Sequence, residues 1–377
     1  MNAIQPNQRF LALDVFRGMT ICFMIIVNTP GSGLYAYAPL KHAAWHGFTP
    51  TDLVFPSFLF AVGNAMSFVM PRWEALPQSQ VLIKIARRTF LIFLLGFLLY
   101  WFPFFRHGQD GHLGLIPLSH TRILGVLQRI ALAYGIASLL IFYCKPRASL
   151  IISVVLLLLY WPILYFSGDP SDPLSLTGNG VLRLDKWLMG DNHLYHGEGI
   201  AFDPEGWLST LPAIANVIGG YVAGRFVQKK GKTYEGLALL LLAGFGLLVT
   251  GYFWDQLFPI NKKLWTSSFV VYTVGLDCVI LAFVLYIVDF RHKTRWTRFF
   301  VIFGKNPLFI YLLSELGAIL IYVLHTPSGS PIHKWVYETF FLPVGAYAGS
   351  FLFSVAFMLV CWLVGYWLDR KKIYIRV

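Results

Sequence analysis

Leu237–Thr250 reads LALLLLAGFGLLVT, fourteen residues without a charge. The apolar side chains run on continuously instead of alternating, which fits a helix in lipid and not a barrel strand. Extended to 235–254, the stretch reaches the roughly 20 residues needed to cross a hydrocarbon core. Working outward, the same reading holds at 11–28, 53–70, 83–102, 121–143, 148–166, 207–227, 267–288, 299–323 and 345–368. The expected fold is therefore all-α: a polytopic bundle of about ten transmembrane helices, one domain over 1–377, in a lipid bilayer. Composition agrees, since 57% of the 377 residues are hydrophobic and 13% charged, against about 25% charged in soluble chains. Those values exclude a soluble domain and a disordered chain. Four cysteines set far apart (Cys22, Cys144, Cys278 and Cys361) exclude a disulfide scaffold.

Orientation follows from the loops, because Lys and Arg are retained on the cytoplasmic side. Alternate loops and both termini, from Arg9 to Arg376, hold nineteen basic residues, and the opposite loops hold eight. Both termini are thus expected in the cytoplasm, with the cell's inner (plasma) membrane as location. The net charge of +12 reads as topology. No nucleic-acid module is visible and no nucleic-acid partner is expected. The first apolar run contains Asp14 and Arg17, so no cleavable leader is expected. The longest outer loop, about 167–206, carries seven acidic and two basic residues, a composition suited to a cationic substrate.

Three basic residues remain in or at the edges of spans: Arg17, Arg129 and Lys305. With Asp14, Asn64, Asp277 and Glu315 they are costly in lipid, about 2.5–3.5 kcal/mol each at the centre of a span. Several of them in one bundle indicate a polar cavity. Asp14 and Arg17 lie three apart and pair on one helix face. Gly220 and Gly224 form a GxxxG motif, read as close helix packing. The densest polar cluster surrounds the first outer loop: Asn28, then Lys41-His42-Ala43-Ala44-Trp45-His46-Gly47, then Thr49-Pro50-Thr51-Asp52. A histidine takes and returns protons near neutrality, a carboxylate orients its ring, and an Asn amide stabilises an oxyanion. The other outer-loop histidines lack zinc spacing, and no metal is expected. Phosphate-binding and dinucleotide fingerprints are absent from the sequence.

The string Leu13-Asp14-Val15-Phe16-Arg17-Gly18 resembles the start of multi-span acyltransferases. Val27-Asn28, Leu40 to Thr49, Asp52-Leu53-Val54-Phe55-Pro56 and Gly125-Val126-Leu127-Gln128-Arg129 narrow the resemblance to the heparan-alpha-glucosaminide N-acetyltransferase family and its bacterial relatives. Asp203-Pro204-Glu205-Gly206, Asn261-Lys262-Lys263-Leu264-Trp265-Thr266 and Gly304-Lys305-Asn306 follow in the same order. The resemblance implies transfer of acetyl from cytoplasmic acetyl-CoA to the amine of a glucosamine-type sugar at the outer face. By motif, the family's active-site histidine falls on His42 and its companion asparagine on Asn28. Position 46 is His where the animal motif has Asn, which makes His46 a rival base. The large lumenal N-terminal region of the animal enzyme is not expected here, and a homodimer is plausible for the family.

On this reading Asp52 orients the base. Arg17, Arg129 and Lys305 meet the phosphates or pantetheine carbonyls of acetyl-CoA, with Arg87 and Arg88 at its nucleotide end. Asp203, Glu205 and Trp45 are the expected substrate contacts. The rival function is an inner-membrane transporter of N-acetylglucosamine or a related sugar, because intramembrane charges and polar outer loops serve transport equally well.

Overall fold

The computed structural model describes residues 10–107 and 113–375; Arg9 and Arg376 lie outside them. Twelve α-helices carry these residues: α1 (Leu11–Asn28), α2 (Pro50–Trp73), α3 (Gln78–Trp101), α4 (Val126–Ser167), α5 (Gly180–Met189), α6 (Thr210–Lys230), α7 (Tyr234–Trp254), α8 (Ser267–Leu285), α9 (Thr297–Lys305), α10 (Pro307–Val323), α11 (Ile332–Val336) and α12 (Ala346–Arg370). The strands among them form one antiparallel hairpin, β1 (Phe105–His107) against β2 (Leu113–Leu115), with Arg106 opposite Gly114.

Among the described residues six helices, α1, α2, α4, α7, α8 and α12, are long and apolar enough to cross a membrane, and the number is seven if the bent pair α9–α10 is one broken span. The chain is thus a multi-pass membrane protein. The windows at 83–102 and 207–227 also fold as helices, α3 and α6, of more polar composition. Two windows, 121–143 and 148–166, join in the 42-residue α4. That helix breaks at Lys145, whose φ of 62° lies in the left-handed region. Pro146 follows; its ring denies helical geometry to the residue before it and suits the start of a new helix.

The window at 299–323 bends by 86° between α9 and α10. Pro307 opens α10. Asn306 at the corner is buried and satisfied by the C-terminal segment: its amide donates to the Ile373 carbonyl at 3.0 Å and accepts from Ile375 N at 2.8 Å. Non-helical backbone at membrane depth persists where protein, not lipid, meets its polar groups.

Two close approaches set the bundle. A Cβ at Gly220 would strike the Phe60 carbonyl, so α6 packs backbone against backbone on α2, and Gly224 faces Asn64 and Ser67. This is the packing expected of the GxxxG pair. A Cβ at Gly18 would strike the Phe300 carbonyl, which seats α1 on α9. The α1–α9 contact brings Arg17 Nη1 to the Gly304 carbonyl at 3.1 Å, while Asp14 lies 3.7 Å from Nη2.

Candidate active site

Thr49-Pro50-Thr51-Asp52 starts α2 as a capping box with Pro at the first turn. Asp52 Oδ2 accepts from the Thr49 backbone N–H and hydroxyl, each at 3.0 Å. It also accepts from Ala43 N at 3.0 Å, which folds the preceding loop back over the helix start. The other oxygen, Oδ1, lies 2.7 Å from His42 Nδ1. Asp52 is 1% exposed and His42 47%, so a buried carboxylate fixes a ring that faces outward. In the tautomer that donates Nδ1–H to Asp52, the ring's lone pair is on Nε2.

Lys262 completes this group. Its ammonium sits 3.1 Å from Nδ1 and 3.4 Å from Nε2 of His42, and 3.7 Å from Asp52 Oδ1. Burial lowers the pKa of Lys262, and the carboxylates Asp52 and Glu205 oppose that shift. Its neighbour Lys263 reaches the Ala44 carbonyl at 2.8 Å and Glu198. Asn261 Nδ2 stands 3.3 Å from His46 Nδ1, and burial lowers the His46 pKa. Trp45 donates to the Leu174 carbonyl at 2.8 Å and packs edge-on against Phe202. His46 and Trp45 thus anchor the loop, and His42 alone among the three meets a carboxylate.

Arg122 organises the adjoining carboxylates. It grips Asp203 with two N–H groups at 2.8 and 2.6 Å, Glu205 at 2.6 Å and the Tyr100 hydroxyl at 3.1 Å. The forked geometry is the strong form of such a pair. Burial opposes the Glu205 charge, yet Arg122, Arg129 and Lys262 hold its pKa below the ordinary range. Asp203 is fully buried and is a structural anchor for Arg122. Glu205 faces both this anchor and Lys262. Asn28, at the end of α1, donates to Glu315 of α10 at 3.3 Å.

A second polar site lies deeper, toward the start of α1. A cavity of about 350 Å³ is lined by Arg17, Arg88 and Lys305 together with one face of α2, from Phe58 to Val69. Lys305 also binds Asp369 at 2.6 Å. Nε of Arg17 and Nε of Arg88 are buried without a hydrogen-bond partner. Pro307 and Leu308, at the N-terminus of α10, line the same cavity, and a helix N-terminus attracts negative charge. The residues present therefore fit phosphate groups. Six residues separate Phe58 from Asp52 on α2, so the cavity ends about 9 Å short of the His42 group.

Of the five basic residues expected at the donor, the fold brings three together. Arg87 is exposed and lines no part of this cavity. Arg129 is fully buried elsewhere, with its guanidinium 4.8 Å above Trp265 and hydrogen bonds to Ser209 and to the Gly206 carbonyl at 3.3 Å. Sequence reasoning missed Lys262 and Arg122 as site residues by counting both as outer-loop charge. The available signal was that Lys262 lies inside the Asn261–Thr266 block. Among the described residues no group of three or more metal-ligating side chains converges.

No family model matches the chain. Heparan-alpha-glucosaminide N-acetyltransferase of Homo sapiens is 28% identical over 371 residues, covering 84% of this chain and 54% of that protein. The enzyme of the same name from Mus musculus is 29% identical over 363 residues, covering 82% and 53%. The chain spans about half the length of these curated relatives. Each match covers more than four fifths of this chain, which supports a relationship, at the level of the family, to the heparan-alpha-glucosaminide N-acetyltransferases.

Proposed function

We propose that the chain is a membrane N-acetyltransferase that moves acetyl from acetyl-CoA to the amine of a glucosamine-type sugar. In this reading ten spans form one domain of the plasma membrane with both termini in the cytoplasm. Acetyl-CoA enters from the Arg17 end, and the sugar binds at the His42 end. The observation that carries the proposal is the pairing of two sites along one helix. The His42–Asp52 group stands at the start of α2, and the cavity holding Arg17, Arg88 and Lys305 follows along the same helix.

Arg17, Arg88 and Lys305 bind the donor's phosphates as fixed charges in a partly dry cavity. His42 Nε2 takes the proton released when the neutral sugar amine bonds to the acetyl carbon; as the tetrahedral intermediate collapses the C–S bond breaks, and the imidazolium returns that proton to the departing thiolate, so that CoA leaves as the thiol. Asp52 keeps the ring in the right tautomer and stabilises the imidazolium that forms. The Asn28 amide has two N–H groups; Glu315 takes one, and the other serves the developing oxyanion. Lys262 fills the place of the sugar's amino group before the sugar arrives.

The decisive measurement is acetyl transfer by purified His42→Ala protein given acetyl-CoA and glucosamine. The expected loss in kcat is about 10²–10⁴-fold, the usual value of a general base. An unchanged rate would refute the assignment.

A further inference from the structure

A cavity of about 580 Å³ lies away from both polar sites, between the second half of α4 and helices α6, α7 and α8. Its lining is almost wholly apolar, and it runs along α7 from Leu239 to Thr250, about 16 Å. Its side walls belong to the outer surface of the bundle: Val154 is 49% exposed and Leu239 40%. The recess exists because small residues replace bulky ones on two helices, Ala215, Gly219 and Ala223 on α6 and Ala243 and Gly246 on α7. A Cβ at Gly246 would meet nothing within 4 Å, so the space beside it is open.

The two ends of the groove differ in charge. One closes at Thr250 and Val270, without a charged residue in its lining. The other closes at Phe226 and Leu240, which also line a small recess containing Lys230 and Lys232. Those two lysines are neutralised by Glu235 and Asp289. Lys229, three residues beyond Phe226, and Arg147, three before Leu150 of the groove wall, are exposed. Neither has a carboxylate partner among the described residues. An apolar slot with surplus positive charge at one mouth matches a molecule with an apolar chain and an anionic head.

We infer that this groove holds one acyl chain of an anionic phospholipid, with the headgroup phosphate at Arg147 and Lys229. Apolar burial supplies the affinity for the chain, and the two cations supply the preference for negative charge. Neither term involves the acyl-transfer residues.

The test uses the full chain, purified in detergent and stripped of lipid, with phosphatidylglycerol or phosphatidylcholine added and bound lipid counted by native mass spectrometry. Phosphatidylglycerol should be retained about 30-fold more strongly than phosphatidylcholine, from two cations near the surface. Arg147→Gln with Lys229→Gln should reduce it to the phosphatidylcholine level. Gly246→Leu should release both lipids without lowering the melting temperature of the stripped protein. Equal retention of the two lipids by the wild type overturns the proposal, as does undiminished binding to Gly246→Leu. Oleate bound as well as phosphatidylglycerol overturns it in favour of a free fatty acid. A wild-type dimer that Gly246→Leu dissociates overturns it in favour of a second copy of the chain. If Gly246→Leu does not fold, the double charge variant decides the matter alone, since both side chains are exposed.

Discussion

Asp52 has two functions that its position makes inseparable. It caps α2 and it holds His42. A helix start with Thr at the cap favours a carboxylate three residues on, so the cap follows from local chemistry. The ring it holds was legible only as a neighbour in a short loop. Lys262 arrives from 220 positions away, and no local pattern announces it. Its ammonium lies against both ring nitrogens of His42, and in the proposed mechanism the substrate's amino group displaces it from Nε2. Lys262→Met is therefore expected to lower the KM for glucosamine severalfold at pH 7, in steady-state kinetics with saturating acetyl-CoA. A raised KM would instead assign Lys262 to holding the sugar.

At the scale of elements, the break between α9 and α10 and the first half of α3 build the cation-lined cavity. Arg88 and Arg87 are adjacent in sequence, and one helical step separates their fates. Arg88 reaches the cavity and lies 4.7 Å from the Tyr134 ring centre, whereas Arg87 is exposed. Arg88→Ala is expected to raise the KM for acetyl-CoA about 10- to 100-fold, the range for losing a hydrogen bond to a charged group. Arg87→Ala should change it less than about twofold. Titration of initial rates against acetyl-CoA for the two variants separates the roles.

The amphipathic α5, between α4 and α6, carries a different device. Asp185 is fully buried, accepts from Trp207 N at 2.9 Å, and has its second oxygen unpartnered. Burial pushes its pKa up to about 7. A carboxyl raised in the folded state is favoured when protonated. Its contribution is therefore fully present below the ordinary carboxylate range and is lost as pH rises toward 7. Thermal melts in detergent should show stability falling by up to about 1.4 kcal/mol per pH unit across that window. Asp185→Asn should flatten the fall, and an identical slope in the variant would remove Asp185 from the account.

For the whole molecule, the two polar sites occupy different stretches of α2, one at Asp52 and the other from Phe58 to Val69, with the buried aromatic Phe55 between them along the helix. Phe55 and Trp265 meet edge to face with ring centres 5.0 Å apart, and Arg129 lies on the same indole. The proposed activity is then sided. In oriented proteoliposomes, acetyl-CoA should support transfer only from the side exposing Arg87, Lys145 and Lys229, and glucosamine only from the other. Equal rates with both substrates on one side would contradict both the ten-span topology and the sided mechanism.

The sequence by itself determined the membrane class, the helix at each apolar window and the polar loop before α2. These are local properties: hydropathy is additive along a window, and the loop's polar residues lie within a few positions of one another. Tertiary structure alone decided which charges share a site. It gathered Arg17, Arg88 and Lys305, sent Arg129 to Trp265 and Ser209, tied Asn28 to Glu315 and locked Asp203 under Arg122. The physical reason is that a charge inside a bundle takes whichever partner offsets its desolvation. Here those partners stand from tens to hundreds of residues away, on helices that pack together in part where glycines such as Gly18 and Gly220 let two backbones meet.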